Sequence, residues 1–172
     1  MPATYALQSQ LALPFIPTTQ EVLERVIAFL KGLFAGRPHQ KLRFVDLGAG
    51  DGRVVHAIAK EFPRWDCRGI EINRELCEAG QNLVKDLPNA HLAWGDLFQE
   101  KLKKIDIVFL FVLPTIMPYL RHVFNTLTKQ ALIITIQYPL QVAGVPVKEI
   151  FHEIVKKGTR CSQFFAYKVE AG

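Results

Sequence analysis

The chain has 172 residues, of which 49% are hydrophobic and 22% charged, a composition typical of a globular protein and unlike that of a disordered one. This length predicts a single domain over residues 1–172, with an N-terminal cap-helix segment at 1–40 and a core at 41–172. The net charge of +5 favours acidic partners but does not bear on the fold. The three cysteines form no CxxC pair and no cluster with histidines, which argues against a metal site and favours a reducing compartment.

The sequence predicts neither a signal peptide nor a membrane span. Residues 1–13 lack the basic and long apolar regions of a signal peptide. The most apolar run, residues 105–113, is far too short to cross a bilayer and fits a buried strand. We therefore expect no membrane span and a cytoplasmic protein.

Helical and strand-like segments alternate along the chain, which is the pattern of an α/β fold. The segment Thr18-Thr19-Gln20-Glu21 predicts a capping box with Thr18 as the N-cap, opening a helix that continues through Leu33 and ends at Gly36-Arg37-Pro38. The next predicted elements are a strand at 42–47, a helix at 54–62, a strand at 67–72, a helix capped by Asn73 and reaching about residue 87, strands at 91–94 and 105–112, a helix after Pro114, a strand at 131–137, and two antiparallel strands at 147–155 and 162–169. We predict a Rossmann-like, doubly wound, mostly parallel seven-stranded sheet with a C-terminal antiparallel hairpin.

A glycine-rich turn, DLGAGDGR at residues 46–53, separates the first predicted strand from the helix that follows it. The first strand-to-helix turn is where open α/β sheets bind ligands, and glycines let the backbone approach the ligand closely. The spacing G-x-G-x-G differs from the dinucleotide fingerprint, because Arg53 stands where its third glycine would fall, and no G-K-[ST] follows as in a P-loop. Because Asp46 and Asp51 flank the glycines, the turn suits a ligand carrying an ammonium and a sulfonium better than a pyrophosphate.

Acidic residues also follow the next two strands. Glu71 lies at the end of the second strand, where a carboxylate can accept hydrogen bonds from both hydroxyls of a ribose. Asp96 follows the third strand and can accept from an adenine amino group, while Leu97 and Phe98 offer apolar contact to the ring. Three acidic positions at the ends of successive strands predict a cofactor that contains adenosine but no pyrophosphate.

These motifs resemble the first three cofactor motifs of class I, seven-β-strand methyltransferases that use S-adenosylmethionine. A closer resemblance is to the protein-lysine methyltransferases of mitochondria that modify the ATP synthase c-subunit and the adenine nucleotide translocator, and to their short prokaryotic relatives. It covers roughly residues 14–170 and is carried by the glycine turn, by FIPT at 15–18 and by VFLFVLP at 108–114. The motifs and the resemblance together predict cofactor contacts from Pro17, Thr18, Asp46, Gly48, Ala49, Gly50, Glu71, Ile72, Asp96, Leu97, Leu113 and Pro114.

The segment after the fourth strand bears on the methyl acceptor. Many methyltransferases of amide or base nitrogens carry Asn/Asp-Pro-Pro-Tyr/Phe there, whereas this chain reads Leu113-Pro114-Thr115-Ile116, without an amide or an acid. This difference argues against adenine and glutamine acceptors. The resemblance implies a lysine amine instead, which is a competent nucleophile once neutral. We expect no dedicated general base, and Thr115, Tyr119 and Tyr138 are candidates for orienting the amine.

We therefore predict an N-methyltransferase that acts on lysine side chains of a protein. A methyltransferase of a small molecule or RNA is the alternative within enzymes, and a non-catalytic cofactor-binding module is the alternative outside them. The basic runs at 101–104 and 156–160 contain no interleaved aromatic residues for base stacking, so a nucleic acid is the weaker choice of partner.

Overall fold

The computed structural model describes residues 15–37 and 39–170. Its helices are α1 (Gln20–Phe34), α2 (Arg53–Glu61), α3 (Arg74–Val84) and the short α4 (Arg121–Phe124), and its strands are β1 (Arg43–Leu47), β2 (Asp66–Glu71), β3 (Ala90–Trp94), β4 (Ile107–Leu110), β5 (Leu132–Ile136), β6 (Val147–Lys157) and β7 (Arg160–Val169). The predictions for residues 1–13 and for Pro38 fall outside the described residues. Within the described ranges, every helix is too short or too polar to span a membrane.

All seven strands form one sheet in the order β3-β2-β1-β4-β5-β7-β6. The first five strands are parallel, and β7 pairs antiparallel with both β5 and β6. The predicted seven-stranded, mostly parallel fold with a C-terminal hairpin is therefore confirmed. Because strand order reverses between β1 and β4, the carboxyl end of β1 opens into the crevice where such sheets bind ligands.

The two faces of the sheet bury separate hydrophobic clusters, as the alternation of side chains along a strand requires. Phe44 and Phe109 point to the face covered by α1, α2 and α3. Val45 and Val108 point to the opposite face, which the segment 116–124 covers. The helix predicted after Pro114 is a 3₁₀ helix, Met117–Leu120, followed by the single turn of α4, so this face carries a thinner layer.

Helix α1 packs against the hairpin although the two are more than a hundred residues apart in sequence. Phe29 stacks on Phe151 with a ring-centroid distance of 4.5 Å, and Arg25 forms an ion pair with Glu153 at 2.6 Å. The N-cap is Thr19, whose hydroxyl accepts from the Val22 N–H at 3.5 Å, so the predicted capping role of Thr18 is wrong. Thr18 is instead 6% exposed and lies one residue before the cap, where its side chain is free for another role.

Helix α3 approaches the glycine turn so closely that Gly80 has no room for a side chain. A Cβ there would lie 2.3 Å from Leu92 Cδ2 and 3.2 Å from the backbone of Asp51. Gly32, in α1, has open space instead, because apart from its chain neighbours and the backbone of its own helix no described heavy atom lies within 4 Å of the point where its Cβ would stand. The contact at Gly80 therefore fixes α3 against the turn that follows β1.

We predict opposite effects for the same substitution at these two helical glycines. Gly80→Ala is expected to lower the free energy of unfolding by about 1–3 kcal/mol, because overpacking outweighs the gain in helix propensity. Gly32→Ala should raise it by about 0.5–1 kcal/mol through propensity alone. Urea unfolding of both variants checks this, and a stabilised Gly80→Ala would contradict the tight packing.

Candidate functional site

A cavity of about 510 Å³ lies at the carboxyl ends of β1, β2 and β4, and the segment that follows β3 also lines it. Its volume is within the usual range for small-molecule sites. It brings together these residues from the sequence prediction: Pro17, Thr18, Asp46, Gly48, Ala49, Glu71, Ile72, Asp96 and Leu97. Segments that are distant in sequence therefore meet at one place, as the strand-end positions predicted.

Backbone hydrogen bonds tie the glycine turn to the end of β2. The N–H groups of Gly48 and Ala49 both donate to the Ile70 carbonyl at 2.9 Å, and the Gly50 N–H donates to Glu71 Oε2 at 2.7 Å. Gly48, Gly50 and Gly52 have φ angles of 83°, 54° and 78°, a region that other residues enter only with strain. The turn thus holds its shape through glycine geometry and through a carboxylate on the neighbouring strand.

Glu71 has a second role that the sequence pattern did not predict. Its Oε1 accepts from the Asn73 N–H at 2.8 Å while its Oε2 accepts from Gly50, so the carboxylate bridges the glycine turn and the start of α3. Each carboxylate oxygen can accept more than one hydrogen bond. Because Glu71 also lines the cavity, its remaining capacity is available to ligand hydroxyls.

Asp46 is a buried acid that forms no ion pair within the described ranges. Its side chain lines the cavity and is 3% exposed, and it accepts no hydrogen bond from any side chain or turn amide in the described part of the chain. Burial, followed by the neighbouring carboxylates Glu71 and Asp51, raises the pKa of Asp46 well above its usual value. A cationic ligand beside it would stabilise the ionised form, so the cavity is built for positive charge at this point.

Asp51 and Arg53 form an ion pair at the wall of the cavity. Arg53 Nε donates to Asp51 Oδ1 at 3.0 Å and Nη2 donates to Oδ2 at 2.6 Å, a bidentate geometry. The hydrogen bonds from Arg53 lower the pKa of Asp51, whereas burial raises the pKa of Asp46. Among the described residues that line the cavity, Arg53 is the one cation, so it is the natural partner for an anionic group of a ligand.

Asp96 is fixed by the short 3₁₀ helix Leu97–Gln99 that it caps. Its Oδ1 accepts from the Phe98 N–H at 2.9 Å, and its Oδ2 accepts from Gln99 Nε2 at 3.2 Å. Leu97 is buried and Phe98 is half-buried, and both line the cavity beside the carboxylate. This corner combines an acceptor with apolar surface, as a purine ring requires.

Several lining residues were not predicted as site residues. Phe15 and Ile16 come from the segment before α1, and the Phe15 ring lies so close to Gly50 that a Cβ there would be 2.2 Å from it. Phe109, Phe111 and Val112, at the end of β4, form an apolar wall. The alternation of side chains along β4 placed Phe109 and Phe111 on one face, but it could not show that this face reaches the cavity.

The remaining predicted residues lie outside the cavity lining. Gly50 is behind it, where its amide is bonded to Glu71. Leu113 and Pro114 are half-buried just past the apolar wall, and Thr115 is exposed. Tyr119 is 52% exposed on the 3₁₀ helix after β4, and Tyr138 is half-buried after β5. Their proposed contacts with cofactor or acceptor stay predictions.

Residues 46–145 match the family model described as the ANTKMT methyltransferase domain. A protein-lysine N-methyltransferase of Saccharolobus islandicus (strain REY15A) is 30% identical over 106 residues, which are 60% of this chain and 62% of that protein. The lysine N-methyltransferase of the ATP synthase c-subunit from Mus musculus is 32% identical over 120 residues, which are 64% of this chain and 42% of that protein. The aligned regions thus span less than two thirds of either relative.

Solved structures share the fold at low sequence identity. An RNA methyltransferase from Salinibacter ruber in complex with S-adenosyl-L-homocysteine superposes with a TM-score of 0.71 at 22% identity, covering 91% of this chain and 95% of that one. Magnesium protoporphyrin IX methyltransferase from Synechocystis PCC 6803, with bound SAM, gives a TM-score of 0.70 at 16% identity, covering 88% and 79%. The acceptors of these two enzymes differ, so the likeness shows the architecture and does not select an acceptor.

We predict that Asp46→Asn stabilises the ligand-free protein at neutral pH. The folded-state pKa of Asp46 is raised above its unfolded-state pKa. Between these two pKa values the folded chain holds a proton that the unfolded chain has lost, so the free energy of unfolding falls as pH rises through this range. Asparagine cannot ionise and so avoids this loss of stability. The extra stability of the variant over the parent should therefore disappear in acid, below the unfolded-state pKa of about 4. Urea unfolding across this pH range tests the difference, with the exposed Asp86→Asn as the control.

Proposed function

Because the chain belongs to the ANTKMT methyltransferase domain family, we propose that it is an S-adenosylmethionine-dependent methyltransferase whose acceptor is the side-chain amine of a lysine in a protein. The observation that carries the proposal is the cavity itself, in which the glycine turn, three acidic positions and an apolar wall face one another. The curated relatives with lysine in their names support the acceptor. S-adenosylmethionine supplies a methyl group activated by its positively charged sulfur.

The residues of the cavity fit the chemical groups of this cofactor. Asp46 is a buried acid with no cationic partner among the described residues, and the methionine part of the cofactor carries an ammonium beside its sulfonium. Arg53 would pair with the methionine carboxylate. Glu71 would accept from the ribose hydroxyls, and Asp96 would accept from the adenine amino group.

The apolar wall at the end of β4 supports an amine acceptor. Phe109, Phe111 and Val112 offer no carboxylate or amide to grip an amide or base nitrogen. An apolar surface disfavours the charged form of a lysine and so increases the fraction that is neutral and nucleophilic. Exclusion of water and alignment of the amine with the methyl–sulfur bond then supply the acceleration without a dedicated base. Activity should accordingly rise with pH above neutrality.

The direct test is transfer of a radiolabelled methyl group from S-adenosylmethionine to a cell extract, followed by separate digestion with protease and nuclease. We expect label that is lost with protease, survives nuclease and is recovered as methyllysine after acid hydrolysis. Label that survives protease and disappears with nuclease would replace the lysine acceptor by RNA. Label in neither polymer would point to a small molecule.

The cofactor assignment is tested separately by calorimetry with S-adenosylmethionine. Glu71→Gln leaves one of the two backbone donors at 2.7 and 2.8 Å without an acceptor and removes the charge, so affinity should fall by at least about tenfold. Glu75→Gln, at an exposed position on α3, is the matched control and should bind like the parent. Equal affinity in both variants would contradict the role given to Glu71.

Thr18 and Thr19 provide a further test, because adjacent threonines are expected to act differently. Thr18→Val keeps the shape of a buried side chain and removes its hydroxyl, and we expect S-adenosylmethionine affinity to fall about three- to tenfold. Thr19→Ala should leave affinity unchanged and cost roughly 0.5–1 kcal/mol of stability as a lost N-cap. Calorimetry and urea unfolding of both variants separate the two roles, and unchanged binding by Thr18→Val would remove Thr18 from the site.

A further inference from the structure

A second concave surface, which we call the basic groove, lies at the opposite end of the sheet from the cofactor cavity. Its volume is about 320 Å³, and it is formed where Leu42, Asp106 and Leu132 stand at the amino ends of β1, β4 and β5. Its rim includes the side chains of Arg37, Lys129 and Lys168. None of its lining residues belongs to the cofactor cavity, so the two surfaces are separate sites.

The rim carries an excess of positive charge. Arg37, Lys129 and Lys168 are exposed, and none of them forms an ion pair with a residue in the described ranges. Asp106 is the single carboxylate among the described residues that line the groove, and it already accepts from the Arg43 N–H at 2.8 Å. Lys168 is moreover paired across the hairpin with Lys148, an arrangement of like charges that destabilises a sheet. A negatively charged partner would relieve this repulsion.

The floor of the groove is apolar and includes one polar atom without a partner. Leu33 and Ile150 remain 43% and 39% exposed, and Phe34 and Leu42 complete the apolar surface. Gln40 Oε1 is buried and accepts no hydrogen bond from any residue that the structure describes. A complete occupant would therefore supply negative charge, apolar contact and a hydrogen-bond donor together.

We propose that the basic groove docks an acidic segment of another protein. Carboxylates of that segment pair with Arg37, Lys129 and Lys168, and an apolar side chain covers Leu33 and Ile150. Its backbone N–H groups are the donors that Gln40 lacks. A peptide combines all three features, whereas a free phosphate has no apolar part and a membrane surface is flat where this surface is concave. The proposal does not depend on the methyltransferase assignment, because no residue of the cofactor cavity takes part.

The test is fluorescence anisotropy with a short labelled peptide that has a central phenylalanine flanked by glutamates on both sides. The double variant Lys129→Glu/Lys168→Glu reverses two charges of the rim. Arg64→Glu/Lys85→Glu is its control, with the same change of net charge at exposed positions outside the groove. Reversal at the groove should weaken binding by about tenfold or more, and the control should change it less than about twofold. Replacing the phenylalanine of the peptide by glycine should also weaken binding to the parent protein.

Three outcomes would overturn the proposal. Equal weakening by the two double variants would mean that the peptide responds only to net charge. Absence of binding by the parent protein at low ionic strength would show that the groove does not accept such a segment. Sedimentation of the parent, but not of Lys129→Glu/Lys168→Glu, with phosphatidylglycerol vesicles, together with no peptide binding, would assign the groove to an anionic membrane surface. Urea unfolding of each variant ensures that only folded protein is compared.

Discussion

The glycine turn after β1 donates three backbone N–H groups to the end of β2, two to the Ile70 carbonyl and one to the carboxylate of Glu71. This set of hydrogen bonds is the constraint on which the rest of the site depends. It fixes the backbone of the turn, in which the glycines have left-handed φ angles. It also orients the Glu71 carboxylate, which we expect to bind the ribose. A single buried acid therefore joins the shape of the turn to the recognition of the ligand.

Asp46 shows that the site is organised for binding at some expense to stability. An acid that is 3% exposed, beside two other carboxylates and without a described partner, is an unfavourable feature of the isolated fold. It becomes favourable only when a cation arrives. Unfavourable features of this kind concentrate at functional positions. The ion pair of Asp51 with Arg53 also lines the cavity. One ligand can therefore meet acidic side chains and the guanidinium of Arg53 together.

Closure of the cavity depends on the two ends of the described chain. Helix α1 is held against the hairpin by the stacked rings of Phe29 and Phe151 and by exposed ion pairs. The aromatic contact contributes more to stability than the ion pairs, because exposed ion pairs are weak. The segment 15–18, immediately before α1, is thereby carried over the glycine turn, where Phe15 meets Gly50. The C-terminal hairpin thus supports the site without lining it.

Local patterns in the sequence predict the strands and helices in chain order, the glycine turn, and the acids at the ends of β1, β2 and β3, because periodicity and turn chemistry are local properties. Tertiary structure alone decided what depends on contacts between distant segments. It made Thr19 the N-cap in place of Thr18 and shortened the helix after Pro114. It also brought the apolar wall of β4 to the cavity and gathered the basic groove from five separate segments, since packing sets which residues meet across the fold.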